Sequence, residues 1–158
     1  MNTRYLVTQA FIAALYVALL AAFSGLSFGV IQFRVAEVLL LLVFFNKRHS
    51  VGIILGTLVG NLMFSPIALD WILGTLATGI ALYLMILIKE ELLALLMPSI
   101  VNGIIVGLQL TYFYQVPTPL IMNIGSVFIG EFVVTFVAGL ILLPMLRKNK
   151  PLVTMLSK

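Results

Sequence analysis

The sequence predicts an all-α integral membrane protein: one membrane domain over residues 1–158, six transmembrane helices, and both termini inside. Three observations carry this. The chain is 63% hydrophobic and only 9% charged, with a mean hydropathy of +1.24. A soluble domain runs about 45–50% apolar and about 25% charged, so this chain cannot cover a water-facing surface. Its apolar runs approach the ~20 residues that cross a bilayer and are separated by charges, glycines and prolines. Its basic residues gather at alternate junctions, as cytoplasmic loops require.

The first run, 5–23, ends in the Ser/Gly-rich stretch Ser24-Gly25-Leu26-Ser27-Phe28-Gly29. It is longer than the roughly 7–15-residue core of a cleaved signal, so it is expected to be a span. The second, 30–45, stops at Asn46-Lys47-Arg48-His49, and the third, 51–64, at Ser65-Pro66. The fourth, 71–88, stops at Lys89-Glu90-Glu91. The fifth, 92–112, runs into Tyr114-Gln115-Val116-Pro117-Thr118-Pro119, a loop because proline lacks an N–H and restrains its neighbour. The sixth, 121–145, ends at Arg147-Lys148-Asn149-Lys150. With the N-terminus inside, Arg4, Lys47, Arg48, Lys89, Arg147, Lys148, Lys150 and Lys158 all lie on the inner side, eight of the nine basic residues. The net charge of +4 then expresses topology, and nucleic acid is not an expected partner.

Several function classes are excluded. There is no cysteine, hence no disulfide, thiolate metal site or cysteine nucleophile. The single histidine, His49, falls in an inner loop, so no Ser–His pair or multi-histidine metal site forms in the membrane. No Gly-x-x-x-x-Gly-Lys-Ser/Thr phosphate loop occurs. No catalytic residue, metal site or cofactor is expected in this chain.

The remaining charges fall where they are costly. Glu37, Asp70, Glu131 and the ninth basic residue, Arg34, lie within spans or at their outer ends. At a rise of about 1.5 Å per residue, Arg34 is about 6 Å and Glu37 about 10 Å below the outer end of span two, and Glu131 about 15 Å down span six. A lipid-facing carboxylate there costs at least about 2.5–3.5 kcal/mol. Asn61, Thr75, Thr78 and Gln109 offer hydrogen-bonding groups at similar levels, as do Asn102 and Asn123. An outward-facing polar pocket inside the bundle explains the set. Its balance of one positive and three negative groups suits a cation or a donor-rich ligand, such as a heterocycle whose N–H pair meets a carboxylate.

Structural roles stay open beside this one. Arg34 and Glu37, at i,i+3, can neutralise each other. Asp70 can N-cap span four. Asn61, Thr75, Thr78 and Asn102 can bridge helices. Ala10, Ala14, Ala18 and Ala22 recur every four residues in span one, and small residues so spaced admit another helix, either within the bundle or from another membrane protein.

Three stretches in order, Gln32-Phe33-Arg34-Val35-Ala36-Glu37-Val38-Leu39, Gly56-Thr57-Leu58-Val59-Gly60-Asn61-Leu62 and Leu69-Asp70-Trp71-Ile72-Leu73-Gly74-Thr75-Leu76-Ala77-Thr78, resemble the queuosine-precursor transporter (QueT) family. With the alanine-spaced first helix, the chain resembles the substrate-binding S component of an energy-coupling factor (ECF) transporter. The resemblance implies a multi-pass protein of the bacterial cell membrane. Its partners would be a transmembrane coupling subunit, met by the alanine face, and two cytoplasmic ATPases that use ATP. It implies a 7-deazaguanine ligand such as the 7-aminomethyl form, captured outside by the polar residues and released inside by toppling. Two alternatives remain: an S component for another vitamin or precursor such as hydroxymethylpyrimidine, and a self-sufficient small cation or solute carrier.

Overall fold

The computed structural model describes residues 3–27, 31–65 and 68–157. All regular structure among them is helical. Helix α1 (Thr3–Ala22) is followed by a single turn, α2 (Ser24–Ser27), and then by a 3₁₀ helix, Val35–Phe44. Next come α3 (Ser50–Phe64), α4 (Leu69–Leu87) and α5 (Glu91–Tyr112). Helix α6 (Leu120–Lys148) and a short terminal α7 (Lys150–Leu156) complete the chain. Four of these, α1, α4, α5 and α6, are long and apolar enough to cross a membrane. Val30, the Pro66 break and Lys158 lie outside the described residues.

The second apolar run differs most from expectation. Residues 31–34 form no helix, and regular winding begins only at Val35. Arg34 therefore precedes the helix instead of lying inside it, although the Glu37 N–H still bonds to the Arg34 carbonyl at 2.8 Å. From Val35 the chain winds in the tighter form, whose rise of about 2.0 Å per residue lets a short segment reach further than an α-helix would. This helix touches α1, α3, α4 and α6. Neighbours on most sides explain its nearly unbroken apolar sequence, with Leu39, Leu40, Leu41 and Val43 all buried.

Helix α1 packs on α3 through Gln9, Ile12, Tyr16 and Leu20. The fit depends on glycine. A Cβ at Gly56 would come within 2.7 Å of the Tyr16 Cβ, and one at Gly60 within 2.6 Å of the Leu20 Cδ2. The small-residue face that closes this internal contact is thus Gly52, Gly56 and Gly60 of α3. Ala10, Ala14, Ala18 and Ala22 point the other way and are exposed.

Helix α6 carries one widened, π-wound stretch, Phe132–Val137, directly after Glu131. Such turns interrupt α-helices mainly at functional positions. Stacked rings of Phe128, Phe132 and Phe136 run along its side, with centroids 5.9 and 4.7 Å apart. Just before Glu131, a Cβ on Gly130 would lie 2.1 Å from the Gln32 carbonyl oxygen. Only glycine lets the segment 31–34 cross α6 there and bring Arg34 alongside Glu37 and Glu131.

Candidate functional site

The acids and amides scattered along the sequence meet in the bundle interior. Glu37, at the start of the 3₁₀ helix, is the hub. Its Oε1 accepts from the Thr78 hydroxyl of α4 at 2.8 Å and from the Tyr16 hydroxyl of α1 at 3.4 Å. Its Oε2 accepts from the Asn102 Nδ2 of α5 at 3.2 Å. The Arg34 Nη1 stands 3.6 Å from Oε1. Four segments therefore converge on one fully buried carboxylate.

Arg34 extends the network outward. Its Nη2 donates to the Asn61 Oδ1 at 2.8 Å. Asn61 Nδ2 in turn donates to the Asp70 carbonyl at 3.1 Å and, more weakly, to the Thr75 hydroxyl at 3.5 Å. Arg34 Nε and Nη1 make no hydrogen bond. A separate layer surrounds Asp70, whose carboxylate accepts from the Ser65 hydroxyl at 2.5 Å and the Gln109 Nε2 at 2.6 Å. Gln109 Nε2 also donates to the Tyr114 hydroxyl at 2.8 Å. Burial pushes the Tyr114 phenol up to about 12, so it stays protonated. Asn123 forms a third group with Thr111 and Thr118.

Glu131 behaves differently. It is fully buried, yet neither carboxylate oxygen has a hydrogen-bond partner. Glu37 and Arg34 are its charged neighbours, and Asn102 is near enough to affect it without forming a hydrogen bond. The Oδ1 of Asn102, the Oε1 of Gln109 and the Oγ of Ser99 are also buried and unbonded. Leaving a buried polar group unbonded costs about 1–3 kcal/mol, and more for a charge. Most of the unbonded atoms here are acceptors, so the interior is built to receive donors.

The structure thus gathers Arg34, Glu37, Asn61, Thr75 and Thr78 into one network, with Glu131 beside it and Asp70 and Gln109 in the layer above. Except for half-buried Thr75, all are buried, so the group is closed to the outside. The N-cap expectation for Asp70 is not met. The helix starts at Leu69, where the Trp71 N–H bonds to the Ala68 carbonyl, and the Asp70 side chain turns to α5. Tyr16, Ser65, Ser99 and Tyr114 join the site without having been foreseen. A tyrosine or serine in an apolar run is affordable in many settings, and spacing alone does not show where it points. Among the described residues no group of three or more His, Asp or Glu side chains is placed to hold a metal.

Comparison with known proteins agrees with this picture of a small membrane bundle. A family model described as QueT transporter matches residues 6–148. The chain is 31% identical over 157 residues to the queuosine precursor transporter QueT of Lactococcus lactis subsp. cremoris (strain MG1363). That similarity covers 89% of this chain and 91% of the relative. No solved structure matches the chain.

Proposed function

The chain belongs to the QueT transporter family, and from that premise we propose that it is the substrate-binding S component of an ECF-type importer for a queuosine precursor. The ligand is a 7-deazaguanine such as 7-aminomethyl-7-deazaguanine. The observation that carries the ligand reading is Glu131, a fully buried carboxylate with no hydrogen-bond partner on either oxygen. A guanine-like edge presents two adjacent N–H donors, and a carboxylate is their natural bidentate acceptor. The free Asn102 Oδ1 supplies a further acceptor beside it. The aminomethyl cation meets the Gln109 Oε1 and Asp70 nearer the outside. Glu37, already surrounded by Tyr16, Arg34, Thr78 and Asn102, holds this wall in place.

In this reading six segments span the bacterial plasma membrane with both termini inside. The 3₁₀ helix and α3 are the short spans, shielded by their longer neighbours. Since the site is closed, ligand entry requires its outer end to open. The exposed alanine face of α1 docks on the transmembrane coupling subunit. Two cytoplasmic ATPases supply the energy, and the loaded bundle topples to release ligand inside.

Calorimetry on the purified chain tests the ligand. Heat of binding with 7-aminomethyl-7-deazaguanine is expected; heat only with hydroxymethylpyrimidine would replace the assignment. Uptake by the chain alone in ATP-free liposomes would overturn the S-component role and make it a self-sufficient carrier.

A further inference from the structure

Arg34 holds buried donors that nothing else in the protein uses. Its side chain is only 2% exposed. Nη2 is spent on the Asn61 Oδ1, at 2.8 Å. Nη1 stands 3.6 Å from the Glu37 Oε1, too far for a hydrogen bond, and Nε has no partner either. Among the described residues, these two are the buried side-chain nitrogens left without a hydrogen bond. Leaving a charged donor buried and unbonded is costly, so the guanidinium points to a missing acceptor.

The free donors lie beside the free acceptors. The 31–34 segment crosses α6 at Gly130, next to Glu131, and Arg34 is a charged neighbour of Glu131. Helix α5 adds a wall at the same level. The Thr135 hydroxyl of α6 donates to the Leu95 carbonyl of α5 at 3.4 Å, and a Cβ on Gly103 would lie 3.2 Å from the Phe128 Cβ. Ser99, midway between Leu95 and Gly103, therefore sits level with Glu131. Asn102 is about 4.5 Å further along the helix. The Ser99 Oγ and the Asn102 Oδ1 are both unbonded. One level of the interior thus holds free N–H groups and free oxygens together.

A cyclic amide, whose carbonyl adjoins N–H groups on one edge, satisfies both. Resting on the reading that a 7-deazaguanine binds at Glu131, we propose that Arg34 reads the ligand's ring carbonyl and thereby sets specificity. The carbonyl oxygen accepts from the unbonded guanidinium N–H groups, while the adjoining ring N–H and exocyclic amine donate to Glu131. Asn61 and Glu37 hold the guanidinium in position. An amine in place of the carbonyl sets N–H against N–H and strands Arg34. Hydroxymethylpyrimidine, which has no ring carbonyl, fails for the same reason.

Calorimetry on the full-length protein tests this with 7-aminomethyl-7-deazaguanine and its 6-thio analogue. The analogue keeps every N–H and replaces only the carbonyl oxygen by sulfur, a weak acceptor. The wild type is expected to bind the thione about 10- to 100-fold more weakly. The double variant Arg34→Met/Glu37→Gln removes both charges of the pair together, so neither is stranded. Folded by circular dichroism, it should bring that ratio close to one. Ser99→Ala should keep the ratio, whatever its effect on affinity, because the carbonyl does not depend on the serine hydroxyl. If the double variant fails to fold, the wild type and Ser99→Ala decide alone. Equal binding of both compounds by the wild type would overturn the role of Arg34 and leave the 7-deazaguanine reading standing. Loss of the preference in Ser99→Ala, or its persistence in the folded double variant, would overturn that role as well. Binding of neither compound would sink the ligand reading itself, and this inference with it.

Discussion

Asn102 donates its side-chain N–H to Glu37 at 3.2 Å. Its other polar atom, Oδ1, is buried and makes no hydrogen bond. One amide thus completes the bonding of one carboxylate and leaves an acceptor free beside a second, Glu131. The two glutamates look alike in sequence, as single acids in apolar runs, yet they have separate physical roles. Glu37 is hydrogen-bonded on both oxygens, and Glu131 on neither.

Glu131→Gln is expected to weaken binding of 7-aminomethyl-7-deazaguanine by about 2–3 kcal/mol, the strength of hydrogen bonds to a charged group. The unliganded protein should melt no lower than wild type, because neither Glu131 oxygen has a hydrogen bond to lose. Calorimetry and thermal melting in the same detergent check both halves. Unchanged affinity would take Glu131 out of the site.

Glu37→Gln should act on the fold. It leaves the buried Arg34 without its closest carboxylate and turns an N–H of the new amide towards groups that themselves donate. Breaking one side of a buried ion pair costs about 3–5 kcal/mol. The melting temperature of the unliganded protein should therefore fall clearly, in contrast to Glu131→Gln. Equal melting of the two variants would mean that Glu37 is not the hub.

Gly56→Ala should also destabilise, by about 1–3 kcal/mol, because its Cβ would press on Tyr16 and the α1 backbone. Ala14→Leu or Ala18→Leu projects from an exposed face of the same α1. Either should leave melting and ligand binding intact while stopping ATP-dependent uptake by the assembled transporter. Full uptake by both would show that the alanine face docks on nothing.

The orientation can be read by labelling, because the chain contains no cysteine. In intact cells a membrane-impermeant maleimide should reach Pro117→Cys in the α5–α6 loop and miss Lys150→Cys at the start of α7. Labelling only of the second would invert the topology.

Several helix starts were legible in the sequence where an apolar run met a charge or proline. The starts of α4, α5 and α6 lie within two residues of expectation, at Leu69, Glu91 and Leu120. The exception was the run after residue 30, because hydropathy reports burial and is blind to winding. A non-helical 31–34 segment and a 3₁₀ helix are as apolar as the α-helix they replace. Pairing Arg34 with Glu37 from their spacing was sound, but for a different local geometry.

By itself, the sequence determined that this chain lives in a membrane, which end carries the positive charge, and which polar residues had to be sheltered. The physical reason is that each such residue is too costly in lipid to be there by accident. Only the tertiary structure decided who shelters whom. It spread Glu37 over partners from three helices, left Glu131 bare, and turned the glycines of α3 inward and the alanines of α1 outward. Those outcomes depend on contacts between residues such as Glu37 and Asn102, 65 positions apart, which no local pattern encodes.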